Sequence, residues 1–445
     1  MRVRWRREWR SPQDGWGGFL YRPRVSRRPI LLGALGLVVV LLVIAVGAGI
    51  GLRSAPTRSG DPATRLAGPP GGTGIPRSSP VEPVASAAGA TPAGSGSPSP
   101  GASAPPAATR SPAAAGPLGG DLLIADRGND RLLIVTPQRQ IVWSMTVDPG
   151  GPLGSASWGP DDAFFTPDGR HIVINEENAD TVAVIDIATR SIVWQYGHVG
   201  QPGSAPGYLH GPDDAYMLPN GTITVADIIN QRILFISPSK QIVRQYGLTD
   251  RQVHDPPVAY DAPNGDVPLP GGGMLVTEIG GSWVDRLDAS GKLVWSVHLA
   301  GVAYPSDAQL LPDGNVLVVD YSSPGSIEEV TPAGHVVWRY AVRSGPGMLD
   351  HPSLAVRLPN GDIAVTDDFG QTVDVIDPST DRIVWQYGHL DVRGTAPGYL
   401  DNPDGLDPVP ASTAQLLATL PGPSAPAAGV VPAASAAGSA PSGTP

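Results

Sequence analysis

The sequence predicts an all-β fold, a β-propeller of six blades, preceded by one transmembrane helix and a disordered linker. Three observations predict it. A Pro followed by a small polar pair recurs six times, at Pro160, Pro212, Pro263, Pro305, Pro352 and Pro403. The intervals of 52, 51, 42, 47 and 51 residues match a propeller blade of roughly 40–50 residues. Finally, one uncharged apolar run stands between an arginine-rich start and a long stretch of Pro, Ala, Gly and Ser.

The apolar run covers residues 30–52, 23 residues without a charge. At the rise of an α-helix this crosses a hydrocarbon core about 30 Å thick. Nine arginines, from Arg2 to Arg28, precede it. Positive charge stays on the cytoplasmic side. The expected topology is therefore a single-pass cell-membrane protein with residues 1–29 cytoplasmic and the folded domain extracytoplasmic. A cleaved signal peptide is the competing reading, with Ala45, Gly47 and Ala48 small enough for a cleavage site. Its apolar region is normally only about 7–15 residues, so an uncleaved signal anchor is preferred.

Residues 53–117 are almost wholly Pro, Ala, Gly, Ser and Thr. Such a segment cannot bury enough apolar surface to offset its chain entropy, and it reads as a flexible stalk. The tail, residues 422–445, has the same composition. The propeller is thus assigned to residues 118–421. The chain has no Cys, which excludes disulfides, thiolate metal sites and cysteine nucleophiles. Its net charge of −11 is concentrated after the basic start, which argues against nucleic acid as a partner.

Each full copy has four parts. The opening stretch ends in a Pro-Asn-Gly or Pro-Asp-Gly turn, which suits a tight hairpin. The second stretch ends in an acid: Asp126, Glu176, Asp227, Glu278, Asp320 and Asp367. The third alternates, as in Arg232 to Ile236. The fourth centres on Trp143, Trp194, Trp295, Trp338 or Trp385, with Arg244 in the remaining copy. The first copy lacks its opening strand, whereas the last, from Pro403 to Pro410, has little else. Together they make one blade, so a C-terminal strand would close the ring. The run Ala414 to Leu420 also reads as a strand and leaves a seventh, degenerate blade as an alternative.

The stretches around Leu122 to Val135 and Ile223 to Ile236 resemble the NHL repeat, in which a strand ends in Ala-Asp before a turn with Asn and Arg. The Ile-Val-Trp strands and Leu-Pro-Asn-Gly turns look more like quinoprotein-like and aryl sulfotransferase-like propellers. The resemblance covers residues 119–410 and implies fold more than activity. In the sulfotransferase-like family a His precedes the turn on the inner strand. The corresponding positions here are Asp161, Asp213, Asn264, Ser306, Ser353 and Asp404, so the resemblance does not carry that chemistry over. Quinone-dependent dehydrogenation is disfavoured as well, because the disulfide and metal features that the resemblance implies for it are missing.

Inner strands line the channel of a propeller, and here their starts are rich in acids. Asp162, Asp214 and Asp307 are the candidate metal ligands. Carboxylates converging on one axis need protons or a cation, and calcium takes about 6–8 oxygen ligands. Acids before a strand also bond local backbone N–H groups, and one per blade is most simply structural. The regular Trp series likewise favours packing between blades over ligand binding.

Two long loops match each other, from Gly197 and from Gly388. They bring His198, Tyr208, His389 and Tyr399 to one mouth of the channel, where His210, His254 and His351 also fall. These seven residues are the candidate ligand mouth. A loop His is a plausible base or ligand, although solvated loop histidines are the commoner case. The leading expectation is a non-enzymatic binding or scaffolding module with no cofactor, meeting an extracytoplasmic protein, glycan or small molecule. The alternative is a cation-dependent hydrolase or lyase with its site at the central channel, with calcium as the candidate ion.

Overall fold

The computed structural model describes residues 116–147 and 159–421. The predicted cytoplasmic segment 1–29, span 30–52, tail 422–445 and nearly all of the linker 53–117 lie outside the described residues. Among the described residues no helix is long and apolar enough to cross a membrane.

Antiparallel strands form six blades. Blade 1 contains β1 (Leu122–Asp126), β2 (Arg131–Val135) and β3 (Ile141–Thr146). Blade 2 contains β4 (Ala163–Phe165), β5 (His171–Glu176), β6 (Thr181–Asp186) and β7 (Ser191–Gly197). Blade 3 contains β8 (Pro212–Met217), β9 (Ile223–Asp227), β10 (Arg232–Ile236) and β11 (Ile242–Tyr246). Blade 4 is reduced to β12 (Met274–Glu278), β13 (Trp283–Leu287) and β14 (Leu293–His298). Blade 5 runs through β15 (Pro305–Leu310), β16 (Val316–Asp320), β17 (Ser326–Val330) and β18 (Val336–Tyr340). Blade 6 follows with β19 (Pro352–Arg357), β20 (Ile363–Asp367), β21 (Thr372–Asp377) and β22 (Arg382–Gly388). The chain then returns to blade 1 as β23 (Pro403–Pro408), which pairs with β1 in the order β23-β1-β2-β3. The splice expected between the two ends of the domain is therefore the observed closure.

Side chains alternate across each strand, so every blade buries both faces. Leu122 and Ile124 pack toward blade 6, while Leu123 and Ala125 pack toward blade 2. The apolar clusters number six, one for each junction between neighbouring blades, including blade 6 against blade 1. An open fan of six blades would have five junctions. The ring is closed, and the count is six.

The tryptophans stitch these junctions together. Trp143 Nε1 donates to the Ile187 carbonyl of blade 2 at 2.9 Å, and Trp194 to Pro238 of blade 3 at 3.0 Å. Trp385 donates across the closure to Pro137 at 2.8 Å. Each bond reaches the outer turn of the next blade, so the repeating Trp is an interlock.

Two expectations are corrected. Ala414 to Leu420 is no strand: residues Ala411–Leu417 form a helix, α1, that starts just after Pro410. Leu416, Leu417 and Leu420 share one side of a helical turn and pack on the cluster between blades 1 and 2. Thr413 Oγ1 donates to the Gly169 carbonyl at 2.8 Å and fixes the helix there. In blade 4 the opening stretch from Pro263 makes only isolated bridges, Pro263 to Glu278 and Pro268 to Met274. Pro268 and Pro270 have no N–H to give a ladder.

Candidate functional site

The small polar pair reaches the channel axis through a backbone irregularity. In β8, β15, β19 and β23 the pairing with the second strand slips at the pair itself, between Asp213 and Ala215, Pro305 and Ala308, Pro352 and Ala355, and beside Asp404. A bulge leaves a residue out of the ladder and re-aims its side chain. In blade 2 the pair, Asp161 and Asp162, simply precedes β4. Gly405 allows the closing strand to fit, since a Cβ there would sit 2.6 Å from the Asp162 Cα.

These side chains form a belt around the axis. Ser353 Oγ donates to Asp404 Oδ1 at 2.5 Å and lies 3.4 Å from Ser306 Oγ. Asn264 Nδ2 donates to the Ser306 carbonyl at 2.8 Å, and Tyr304 Oη to Asn264 Oδ1 at 3.3 Å. Arg127, on the turn after β1, closes the belt. Its guanidinium bonds Asp161, Asp404 at 2.6 Å and Glu177 at 2.6 Å. Burial opposes its charge, but the three acids outweigh that and hold its pKa above the ordinary arginine value.

Beneath Arg127 the channel is acidic and buried. Asp161, Asp162 and Asp213 carry carboxylate oxygens within 4.8 Å of one another. Burial, then Asp214 and Asp404, pushes Asp162 well above the usual carboxylate range. Burial, then Asp307, does the same to Asp214, and burial lifts Asp307 to about 7. Asp214 Oδ2 and Asp307 Oδ1 are buried without a hydrogen-bond partner. The predicted trio Asp162, Asp214 and Asp307 therefore lies in one field of acids, but the tight cluster pairs Asp162 with Asp161 and Asp213. Calcium could draw oxygens from this set, with Asp161 shared with Arg127.

The acids that end the second strands work outside the channel. Asp126 accepts the Asp401 N–H at 2.8 Å, Asp227 that of His210 at 2.7 Å, and Asp367 that of Asp350 at 2.6 Å. Each fastens the loop entering its blade. In blades 1 and 3 the Asn and Arg that follow complete the clamp. Asn129 and Arg131 donate to the carbonyls of Gly394, Thr395 and Tyr399, and Asn230 and Arg232 to those of Gly203 and Ser204. The Asp-Asn-Arg signature is thus a docking device for the two matching loops.

The predicted mouth residues are shared out among separate blades. His198 packs on Tyr208 at 4.3 Å and His389 on Tyr399 at 4.1 Å, both pairs internal to their loops. His210 offers its backbone N–H to Asp227, and burial lowers its pKa. His254 stacks on Trp283 at 4.0 Å and bonds Glu278. His351 bonds Asp350 and meets Tyr321 and Phe369 edge-on. These histidines do not converge on one centre.

Sequence reasoning missed Arg127 and Glu177, and also Tyr321 and the buried Asp368, which both lie within the field of Arg127. All four follow the acid that ends the second strand, where blades 3 and 4 carry Ile228 and Ile279. A repeating position with non-repeating residues was the available signal.

Residues 239–398, less than half of the chain, match a family profile of the PQQ type described as outer membrane protein assembly factor BamB. Over that stretch the propeller is similar to the quinoprotein type. The match singles out neither the NHL nor the aryl sulfotransferase branch. No curated protein sequence matches the chain. Among solved structures, a protein of unknown function from Bacteroides caccae is 18% identical, with 65% of this chain and 98% of that one covered and a TM-score of 0.47. A streptogramin B lyase is 17% identical, over 64% of this chain and 83% of that one, with a TM-score of 0.44. Virginiamycin B lyase from Staphylococcus aureus is 17% identical, over 52% and 71%, with a TM-score of 0.38.

Proposed function

We propose that this quinoprotein-like propeller is a binding module, anchored in the cell membrane through residues 30–52 and displayed outside the cytoplasm. Its docking face is the mouth that carries the long loops, and its partner is an extracytoplasmic protein. One observation carries the reading. Of twelve exposed large apolar residues among the described residues, six are valines on outer strands, from Val193 to Val384. The other six, Ile229, Leu248, Val253, Val258, Leu390 and Val392, all fall on mouth-side turns and loops. None falls on the opposite face. Apolar side chains gathered on one face of a soluble fold favour association. The Asp-Asn-Arg clamps support this use, because they hold two of the loops in place before any partner arrives.

Photo-crosslinking in the native envelope tests the proposal. A photoreactive residue at Val258 or Val392 of the full chain should give discrete protein adducts, while one at Val193 or Val337 should not. Adducts of equal yield from the outer strands, or none from the mouth, would refute it. Deleting residues 30–52 should move the chain from the membrane to the soluble fraction, and a membrane-bound deletion variant would refute the anchor.

A second reading, a cation-dependent hydrolase or lyase at the channel, is favoured by the closeness of Asp161, Asp162 and Asp213 together with the unpartnered Asp214 and Asp307 oxygens. Calcium should then raise the melting temperature of the wild type but not of Asp162→Asn. An equal response in both would sink this reading.

A further inference from the structure

Blade 4 departs from blades 1 and 3 in its charge balance. There, the acid that ends the second strand meets an arginine, Asp126 with Arg131 at 2.5 Å and Asp227 with Arg232 at 2.7 Å. In blade 4 the arginine position is Trp283 and the asparagine position Gly281. A second acid, Asp285, replaces the buried Leu133 and Leu234 of the other two blades. Glu278 and Asp285 are both fully buried, on neighbouring strands β12 and β13. Two carboxylates in contact away from water repel unless something positive lies between them.

The group facing them is His254, from the loop that enters the blade. Its Nδ1 is 2.7 Å from Glu278 Oε1, and its Nε2 is 3.2 Å from Ser296 Oγ. Trp283 stacks on the ring and fixes its plane. The metal-ligating atoms of His254, Glu278 and Asp285 all lie within 4.8 Å of one another. A separate observation points to a ligand. Asp285 lies against Glu278 and opposite Ser296 in the ladder, both close enough to favour its charged form, yet neither of its oxygens meets a donor in full hydrogen-bonding geometry. The Tyr260 hydroxyl is likewise buried and unpartnered.

We propose that His254, Glu278 and Asp285 bind one divalent transition-metal ion of the zinc class, which pins the loop of residues 248–262 to blade 4. One imidazole nitrogen and two carboxylates suit zinc, whereas calcium prefers oxygen alone. Two positive charges balance the two acids and replace the missing arginine. The side chain of His254 is 24% exposed, which leaves the ion a route in and a position for water. The site is off the channel axis and does not depend on the docking reading, although Val253 and Val258 of the proposed docking face ride on the loop it would hold.

The test uses the full chain in detergent, stripped with chelator, reloaded with zinc alone and desalted. Elemental analysis should find one zinc per chain, lowered at least about tenfold in Asp285→Asn and His254→Ala and unchanged in Asp162→Asn. Cobalt in place of zinc should give intense visible bands in the wild type that vanish in His254→Ala. Arg251, with a side chain 52% exposed on the loop, supplies a third readout, since zinc should slow tryptic cleavage there and chelator restore it. No retained zinc, retention equal in Asp285→Asn, or loss through Asp162→Asn instead would overturn the proposal. Should Asp285→Asn fail to fold, a pale, six-coordinate cobalt spectrum from the wild-type chain would overturn it.

Discussion

Replacing Arg127 by Met would remove the single positive charge that Asp161, Glu177 and Asp404 share. The Arg127 side chain is 12% exposed, and those of Asp161 and Asp404 are 5% and 6% exposed, so water cannot take its place. Breaking a buried pair from one side costs about 3–5 kcal/mol, because the remaining charges stay uncompensated. With an unfolding entropy of about 2.1 cal/mol/K per residue, a domain of about 290 residues loses about 5–8 °C in Tm. The loss should also depend on pH. Burial already raises the Asp161 pKa and Arg127 opposes that rise, so the variant pushes it further up. A carboxyl whose pKa is raised by folding favours the fold below its unfolded pKa and loses that contribution as pH climbs through the folded value. The Arg127→Met deficit should therefore be largest at pH 8 and shrink toward pH 5. Calorimetry of the wild type, Arg127→Met, and Arg127→Met with Asp161→Asn provides the assay. The double variant should recover part of the loss. A single variant that melts with the wild type at pH 8, or a deficit that grows on acidification, would refute the account.

The wild type should itself melt higher at pH 5.5 than at pH 8.5, because burial lifts Asp307 and Asp407 to about 7 and Asp367 to about 8. Their contribution is present below the unfolded pKa and lost as pH rises through these values, so a flat profile would count against the buried, uncharged acids. Trp143→Phe should cost about 1–3 kcal/mol through the orphaned Ile187 carbonyl. Trp338→Phe should cost less, since its partner Asp381 is exposed; denaturant titration would rank the two, and the reverse order would contradict the interlock. Ending the chain after Asn402 removes β23, and the single calorimetric transition expected of the closed ring should broaden or split. A truncated chain with an unchanged transition would show that closure adds nothing.

Much of the fold was legible because a propeller writes its period into the chain. The pairing of β1 with β23 followed from two half-copies whose missing parts were complementary. Residues 414–420 misled because apolar residues spaced for one side of a helix resemble a short strand when Ala and Thr intervene. The opening strand of blade 4 was read by analogy with its neighbours, against the prolines in it. For the candidate site, sequence could locate the acids but not their company. Arg127, Glu177 and Asp404 are far apart in the chain, and only ring closure brings them together. The same limit hid the blade 4 cluster, where His254 was visible as a loop histidine and Asp285 was one more residue in a strand.

Closure by β23 also sets a timetable. The strand that completes blade 1 is the last strand of the domain to be made, whereas β1 is the first. Throughout synthesis, one side of β1 has unpaired backbone groups, and Leu122 and Ile124 lack the blade 6 surface they will meet. Such an open edge invites pairing with other chains. The nascent domain is therefore most vulnerable at its oldest strand, and its exposure ends only when the newest one docks.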